Sequence, residues 1–166
     1  MKRIAVLLLL VTTSALAKTP WETYLDEPSS RNAAHVESIA YSTPVEGGYD
    51  SDDLAILHLQ VLAADPAAFQ LADRLREKSD GGLAEELSAI LASAIRPHPE
   101  FFLDQVRALK RPCSDFNIDA AGIEYVDRPV AQKYELHMRQ VALASVAAKS
   151  LEKVRSECLA RLATIR

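Results

Sequence analysis

The sequence predicts an all-α fold, a compact bundle or short stack of helical hairpins with a long C-terminal helix. Three observations predict it. Apolar residues recur at three- and four-residue steps from Leu54 to Leu109. Ala and Leu abound while aromatics are 6% of the chain, a balance that favours helix over sheet. Beyond Pro129 the chain contains neither Pro nor Gly, so one uninterrupted helix is expected over about 129–165.

The elements follow in chain order. Residues 1–17 read as a signal peptide: Lys2-Arg3, an apolar run Ile4 to Val11, then Ala15-Leu16-Ala17. The run is too short for a membrane span, which needs about 20 apolar residues. Cleavage after Ala17 would leave 149 residues, 18–166, read as a single helical domain. Trp21, Tyr24 and Leu25 then predict a helical turn or irregular arm docked by its aromatics. Ser30 is placed to cap a helix over about 31–42, with Ala33, Val36, Ile39 and Ala40 on one face. Thr43 to Tyr49, with Pro44 and Gly47-Gly48, is loop.

Asp50, Asp52 and Asp53 stand where a helix over about 52–64 begins, and favour the positive end of its dipole. Asp65-Pro66 then gives an N-cap followed by Pro at the first helical position, where the missing N–H costs nothing. The next helix covers about 66–78 with Phe69, Ala72 and Leu75 inward. Ser79-Asp80-Gly81-Gly82 ends it. A third helix covers about 83–95 through Leu83, Leu87, Ile90, Leu91 and Ala94. Arg96-Pro97-His98-Pro99 breaks the chain before a fourth, about 99–110, with Phe102, Val106 and Leu109.

A shift of 33 residues superimposes this pattern on itself. It aligns Asp53 with Glu86, Leu54 with Leu87, Leu57 with Ile90, Leu62 with Ile95, Asp65-Pro66 with His98-Pro99, Phe69 with Phe102 and Arg74 with Arg107. That is the order of a helical-hairpin repeat, in which stacking buries a core no single hairpin can bury. The helix–Asp-Pro–helix stretch over 54–76 resembles a HEAT-type hairpin. The resemblance implies a stacking geometry and a protein-binding face; it carries over no catalytic residue.

Residues 111–128 read as an irregular segment laid on the helices by Phe116, Ile118, Ile123, Tyr125 and Val126. In the final helix an apolar stripe runs through Ala144, Ala148, Leu151, Cys158, Leu162 and Ile165. The cysteines Cys113 and Cys158 are an even pair in a chain that reads as exported, and a disulfide between them is expected. It would tie the irregular segment to the last helix.

Charge and motifs narrow the function. Without Lys2 and Arg3, 17 basic residues remain against 23 acidic ones, a net charge of −6. That argues against generic nucleic-acid binding. No segment after residue 17 is long and apolar enough to cross a membrane. His35, His58, His98 and His137 lack the spacing of a metal motif, and His98, between two prolines, reads as a cap or exposed turn residue. Asp50, Asp52 and Asp53 lack the Gly and Glu register of a calcium loop and read as helix-start acids, as do Glu85-Glu86. Gly81-Gly82 leads into no phosphate-loop motif, and no Ser stands in a nucleophile motif. Phe101-Phe102 reads as core packing with an exposed edge.

No catalytic, cofactor or metal residues are assigned. The expected function is binding without catalysis: a periplasmic or secreted helical protein that recognises another protein. A specific form is an immunity-type inhibitor of a toxin in the same compartment. The alternatives are a hydrolase with an unrecognised site and a carrier of a small apolar ligand.

Overall fold

The structure, a computed structural model, describes residues 17–42, 51–79, 81–121, 125 and 127–164. The signal-peptide reading of residues 1–16 and the loop expected at 43–49 lie outside the described residues. Among the described residues there are eight α-helices and no strand. The all-α reading is correct.

The N-terminal arm is a true helix, α1, Pro20–Asp26. Thr19 and Glu22 form a reciprocal capping box: Thr19 Oγ1 accepts from the Glu22 amide at 3.1 Å, and Glu22 Oε2 from the Thr19 amide at 2.6 Å. Trp21 and Tyr24 are buried and meet edge to face at 6.3 Å, so the arm docks by its aromatics. α2 is Ser30–Ser42. Its cap is Ser29 rather than Ser30: Ser29 Oγ accepts from the Asn32 amide at 3.2 Å. Ala33 and Val36 are buried as expected, and positions 39 and 40 lie outside the residues whose side chains are described.

α3, Ser51–Leu62, and α4, Pro66–Lys78, form the first hairpin. Asp65 Oδ1 accepts from the amides of Ala67 and Ala68 at 2.8 and 3.4 Å, the cap that the Asp-Pro pair predicts. α5, Gly81–Ser93, starts two residues before the expected 83, taking both glycines into its first turn. Gly81 has φ +50°, a left-handed conformation that makes Gly the favoured residue for entry into α5. α6 is Pro99–Leu109.

The 33-residue alignment holds in burial for three of its apolar pairs, and not for Leu62 and Ile95, of which only Ile95 is buried. Leu54 and Leu87, Leu57 and Ile90, Phe69 and Phe102 are all buried. α5 packs on α4 and α3, and α6 meets α4, but α5 and α6 barely touch each other, so the second helix pair is not packed as a hairpin in the way α3 and α4 are. The alignment fails for polar roles. Asp65 caps its helix, whereas His98 makes no side-chain cap bond. Arg74 pairs with Glu37 of α2 at 2.8 Å, whereas Arg107 pairs with Asp104 of its own helix at 2.6 Å.

Between α6 and the C-terminal region a 3-10 turn, Cys113–Phe116, begins the irregular segment. Phe116 and Ile118 are fully buried and Tyr125 is partly buried, as expected of a segment laid on the helices. Ile123 and Val126 lie outside the described residues. Phe69, Phe101, Phe102 and Phe116 form the centre of the core, with ring centroids 5.7 to 6.0 Å apart in the pairs that touch.

The C-terminal region departs from the expected uninterrupted helix. α7 is Pro129–Ala144. The chain then turns at Ser145, extends through Ala148, and re-enters helix through a 3-10 turn at Lys149–Leu151 and α8, Glu152–Ala163. This closing helical segment, 3-10 turn plus α8, is 15 residues long. The physical reason is length. A straight helix over 129–165 would reach about 55 Å, nearly twice the diameter of a small domain. Folding back buries Val146, Leu151, Cys158 and Leu162 against the rest of the core. The freed backbone is satisfied by side chains: Arg155 donates to the Val146 carbonyl, and Arg107 to the Ser150 carbonyl at 3.4 Å. Burial and these bonds outweigh the intrinsic helix preference of an Ala-rich stretch. The apolar stripe read across the break is also split. Leu151, Cys158 and Leu162 are buried, whereas Ala144 is exposed and Ile165 lies outside the described residues.

Two charged networks lock the irregular segment. Arg139 is buried on α7 and donates to the carbonyls of Ile118, Ala120 and Ala121 at 3.0, 2.8 and 3.4 Å. Its charge is balanced by Glu135 one turn back at 3.1 Å, which also pairs with Arg96 at 2.8 Å. On the other side Asp73 is buried on α4, 2.8 Å from Arg76 and 3.4 Å from Arg111. Arg111 also pairs with Glu77, and Arg76 lies 5.7 Å over the Phe116 ring. Buried backbone without regular structure needs such partners.

Glu37 gives the fold a measurable pH dependence. Burial raises its carboxyl pKa, but hydrogen bonds from Lys78 and Arg74, and then their charges, outweigh that and hold it below its usual value. A depressed carboxylate stabilises the folded state above the unfolded pKa, and the gain is lost as pH falls through the folded value. Both cationic partners are partly exposed, so Glu37→Gln should cost about 1 kcal/mol at neutral pH. The difference from the unsubstituted protein should be largest at neutral pH and shrink in acid, below the ordinary carboxylate range. Urea unfolding at neutral and acid pH measures it; an unchanged gap in acid would show that the pair is not what the mutation removes.

Candidate protein-docking face

The described residues bring the sequence candidates together at only one place, the disulfide. Cys113 of the 3-10 turn and Cys158 of α8 are bonded, with Cα atoms 5.2 Å apart. Both are fully buried, and Glu157 Oε1 accepts from the Cys113 amide at 3.0 Å. The bridge joins the irregular segment to the last helix, as expected from sequence.

The four histidines stand on four different elements. His35 is exposed on α2, His98 precedes α6 and is exposed, and His137 is exposed on α7. His58 is partly buried on α3, and its Nε2 finds no hydrogen-bond partner among the described residues. Among the described residues no group of three or more His, Cys, Asp or Glu is arranged to hold a metal ion. Asp53 and Asp52 lie in the first turn of α3, and Asp50 lies outside the described residues. Phe102 is core, and Phe101 packs its partly buried ring edge to face with Phe69.

Of the two roles read for His98, cap or exposed turn residue, the structure bears out the second. Its backbone occupies the N-cap position of α6, but its side chain makes no cap bond. Removing the imidazole therefore removes no cap. His98→Ala should change stability by less than about 0.5 kcal/mol, the range of exposed positions with no special contact. Thermal unfolding checks this; a larger loss would reveal a contact made by the imidazole.

The most conspicuous surface feature is one that sequence reading missed. α7 exposes Val130, Tyr134 and Val141 to 82, 61 and 47%. With His137 and Ala144, also exposed, these positions follow alternating four- and three-residue steps. At 3.6 residues per turn all five fall within an arc of about 80°. The buried residues Glu135, Leu136, Arg139 and Leu143 occupy the opposite side. This is the spacing of a coiled-coil seam, turned outward. The signal was present in the sequence. It was obscured because the stretch was read as one long helix with a single stripe, which assigned Ala144 to the buried side.

Two shallow depressions border the seam. One is lined by Arg128, Pro129, Val130, Ala131 and Tyr134 at the start of α7. The other lies between α7 and α8, with Gln140, Val141 and Ala144 facing Leu159 and Ala163. The seam is flanked by two cations: Arg128 and Lys133 are exposed, and no exposed residue of α7 is acidic. The nearest exposed acids in sequence are Asp127, just before α7, and Glu152, at the start of α8. A cationic strip is the exception on a chain of net charge −4. A second exposed pair, Ile56 and Leu59, lies on α3.

Among the described residues no helix is long and apolar enough to cross a membrane. No protein-family model, curated protein or solved structure matches the chain.

Proposed function

We propose that residues 18–166 form a single exported helical domain that acts by binding another protein, with the outward seam of α7 as its docking face. The observation that carries the reading is the seam itself. Val130, Tyr134 and Val141 keep much of their surface in water at positions that share one face. A helix face that exposes two valines and an aromatic around His137, with charges beside it, has the composition of an interface centre and rim. Export rests on the pattern of residues 1–17 and is supported by the disulfide, which belongs to an oxidising compartment. The immunity-type form, in which the partner is a toxin of the same compartment, draws on small size, export and acidic net charge.

The test is capture. Disulfide-intact protein, residues 18–166, is immobilised and exposed to extract of the exported fraction, beside its Tyr134→Glu variant. A charge at the centre of an apolar interface should weaken binding by roughly tenfold or more. Tyr134 is exposed, so the fold should be unaffected, as circular dichroism would verify. A partner held equally by both proteins would remove the seam from the function. In the immunity-type form the captured protein is a toxin, and co-export of the unsubstituted chain, but not of the variant, protects cells from it.

A further inference from the structure

Resting on the binding reading, we infer that the occupant of the α7 seam is an amphipathic helix of the partner protein, its apolar stripe flanked by carboxylates. Three features point to it. The steps between positions 130, 134, 137, 141 and 144 match the knobs of a helix–helix seam. The seam also has a wall: Leu159 and Ala163 of α8 face Val141 and Ala144 across a trough. An incoming helix laid there would touch two helices at once, the helix-in-groove mode of recognition. Small side chains at Ala144 and Ala163 allow close approach at that end, and Tyr134 supplies a large anchor toward the other.

Charge decides between occupants. The cations Arg128 and Lys133 border the seam, with no exposed acid on α7. A second copy of the chain would oppose one cationic strip to another, which disfavours self-pairing. A helix carrying Glu or Asp at its flanking positions would meet these cations with the opposite sign. Such contacts lie at the rim, so they steer and select more than they hold.

Defined peptides test this. Two helical peptides of about three heptads share a Leu and Ala stripe. One has Glu at the flanking positions and the other Lys. Each is titrated into disulfide-intact protein, residues 18–166, and followed by fluorescence anisotropy. The Glu peptide should bind roughly tenfold or more tightly than the Lys peptide at about 50 mM salt. The preference should narrow at about 200 mM, and Lys133→Glu should reverse it. Tyr134→Glu should weaken the Glu peptide by roughly tenfold. Equal binding of both peptides, or binding of neither, would overturn the inference. If neither peptide binds while a protein is still captured through Tyr134, the helical occupant is wrong and the binding reading stands. If capture fails as well, both fall. Sedimentation of the protein alone supplies the remaining outcome. A dimer abolished by Tyr134→Glu would assign the seam to a second copy and overturn the proposed partner.

Discussion

Phe69→Ala should destabilise the protein by about 3–5 kcal/mol, the range for removing a fully buried aromatic. Phe69 is completely buried on α4 and touches three other rings, Phe101 and Phe102 of α6 and Phe116 of the irregular segment. Its loss would remove contacts that join three separate elements. The surroundings cannot easily close over the cavity. Phe102 is itself held edge to face with Phe116 at 5.9 Å, and Phe116 is covered by Arg76. Phe102→Ala provides a comparison at the aligned position of α6, where the ring touches Phe69 and Phe116. Urea unfolding measures both. A loss below about 1 kcal/mol for Phe69→Ala would mean that the aromatic cluster is not the centre of the core.

Reduction of Cys113–Cys158 should lower stability by about 2–5 kcal/mol, as for other small exported domains. The bridge spans a sequence separation of 45, for which the chain-entropy account gives about 4 kcal/mol. The native side adds a second contribution. α8 and the 3-10 turn at Cys113–Phe116 are held together by the bridge and by the bond from the Cys113 amide to Glu157. Because both cysteines are fully buried, reductant should act slowly on the native protein and rapidly once denaturant opens it. The comparison is between urea midpoints with and without reductant, repeated with a Cys113→Ala and Cys158→Ala double variant. A midpoint unmoved by reduction would show that α8 is placed by packing alone.

The sequence was most legible where a local rule and the core agreed. Asp65-Pro66 marks both the cap and the first residue of α4, because an oxygen is needed where amides have no partner and Pro lacks only an amide that would be unpaired. Phe69, Ala72 and Leu75 could be assigned inward because one helical face can meet only one core. The disulfide could be paired because two cysteines allow one intramolecular pairing, and the stripe placed Cys158 inside. Capping was less exact: Ser29 took the role expected of Ser30, since adjacent serines carry the same chemistry and backbone geometry chooses between them. His98 shows the limit of such rules, for it occupies a cap position without making a cap bond.

The sequence by itself determined the helical class, most of the helix positions from α2 to α6, the pairing of its cysteines and most of the apolar residues at the core. These follow from local spacing and from residue types that act on their near neighbours. The tertiary structure alone decided where the last forty residues fold back, and so which side of α7 faces water. Nothing local ends α7 at Ala144; the chain turns there because α8 gains more by packing Leu151, Cys158 and Leu162 than a continued helix would gain in solvent. The buried charges were equally hidden. Arg139 reaches carbonyls 18 to 21 residues away, and Asp73 meets Arg111 across two helices, so their partners are set by how the helices pack. The outward seam of Val130, Tyr134 and Val141 exists only because Glu135, Leu136, Arg139 and Leu143 claim the opposite face.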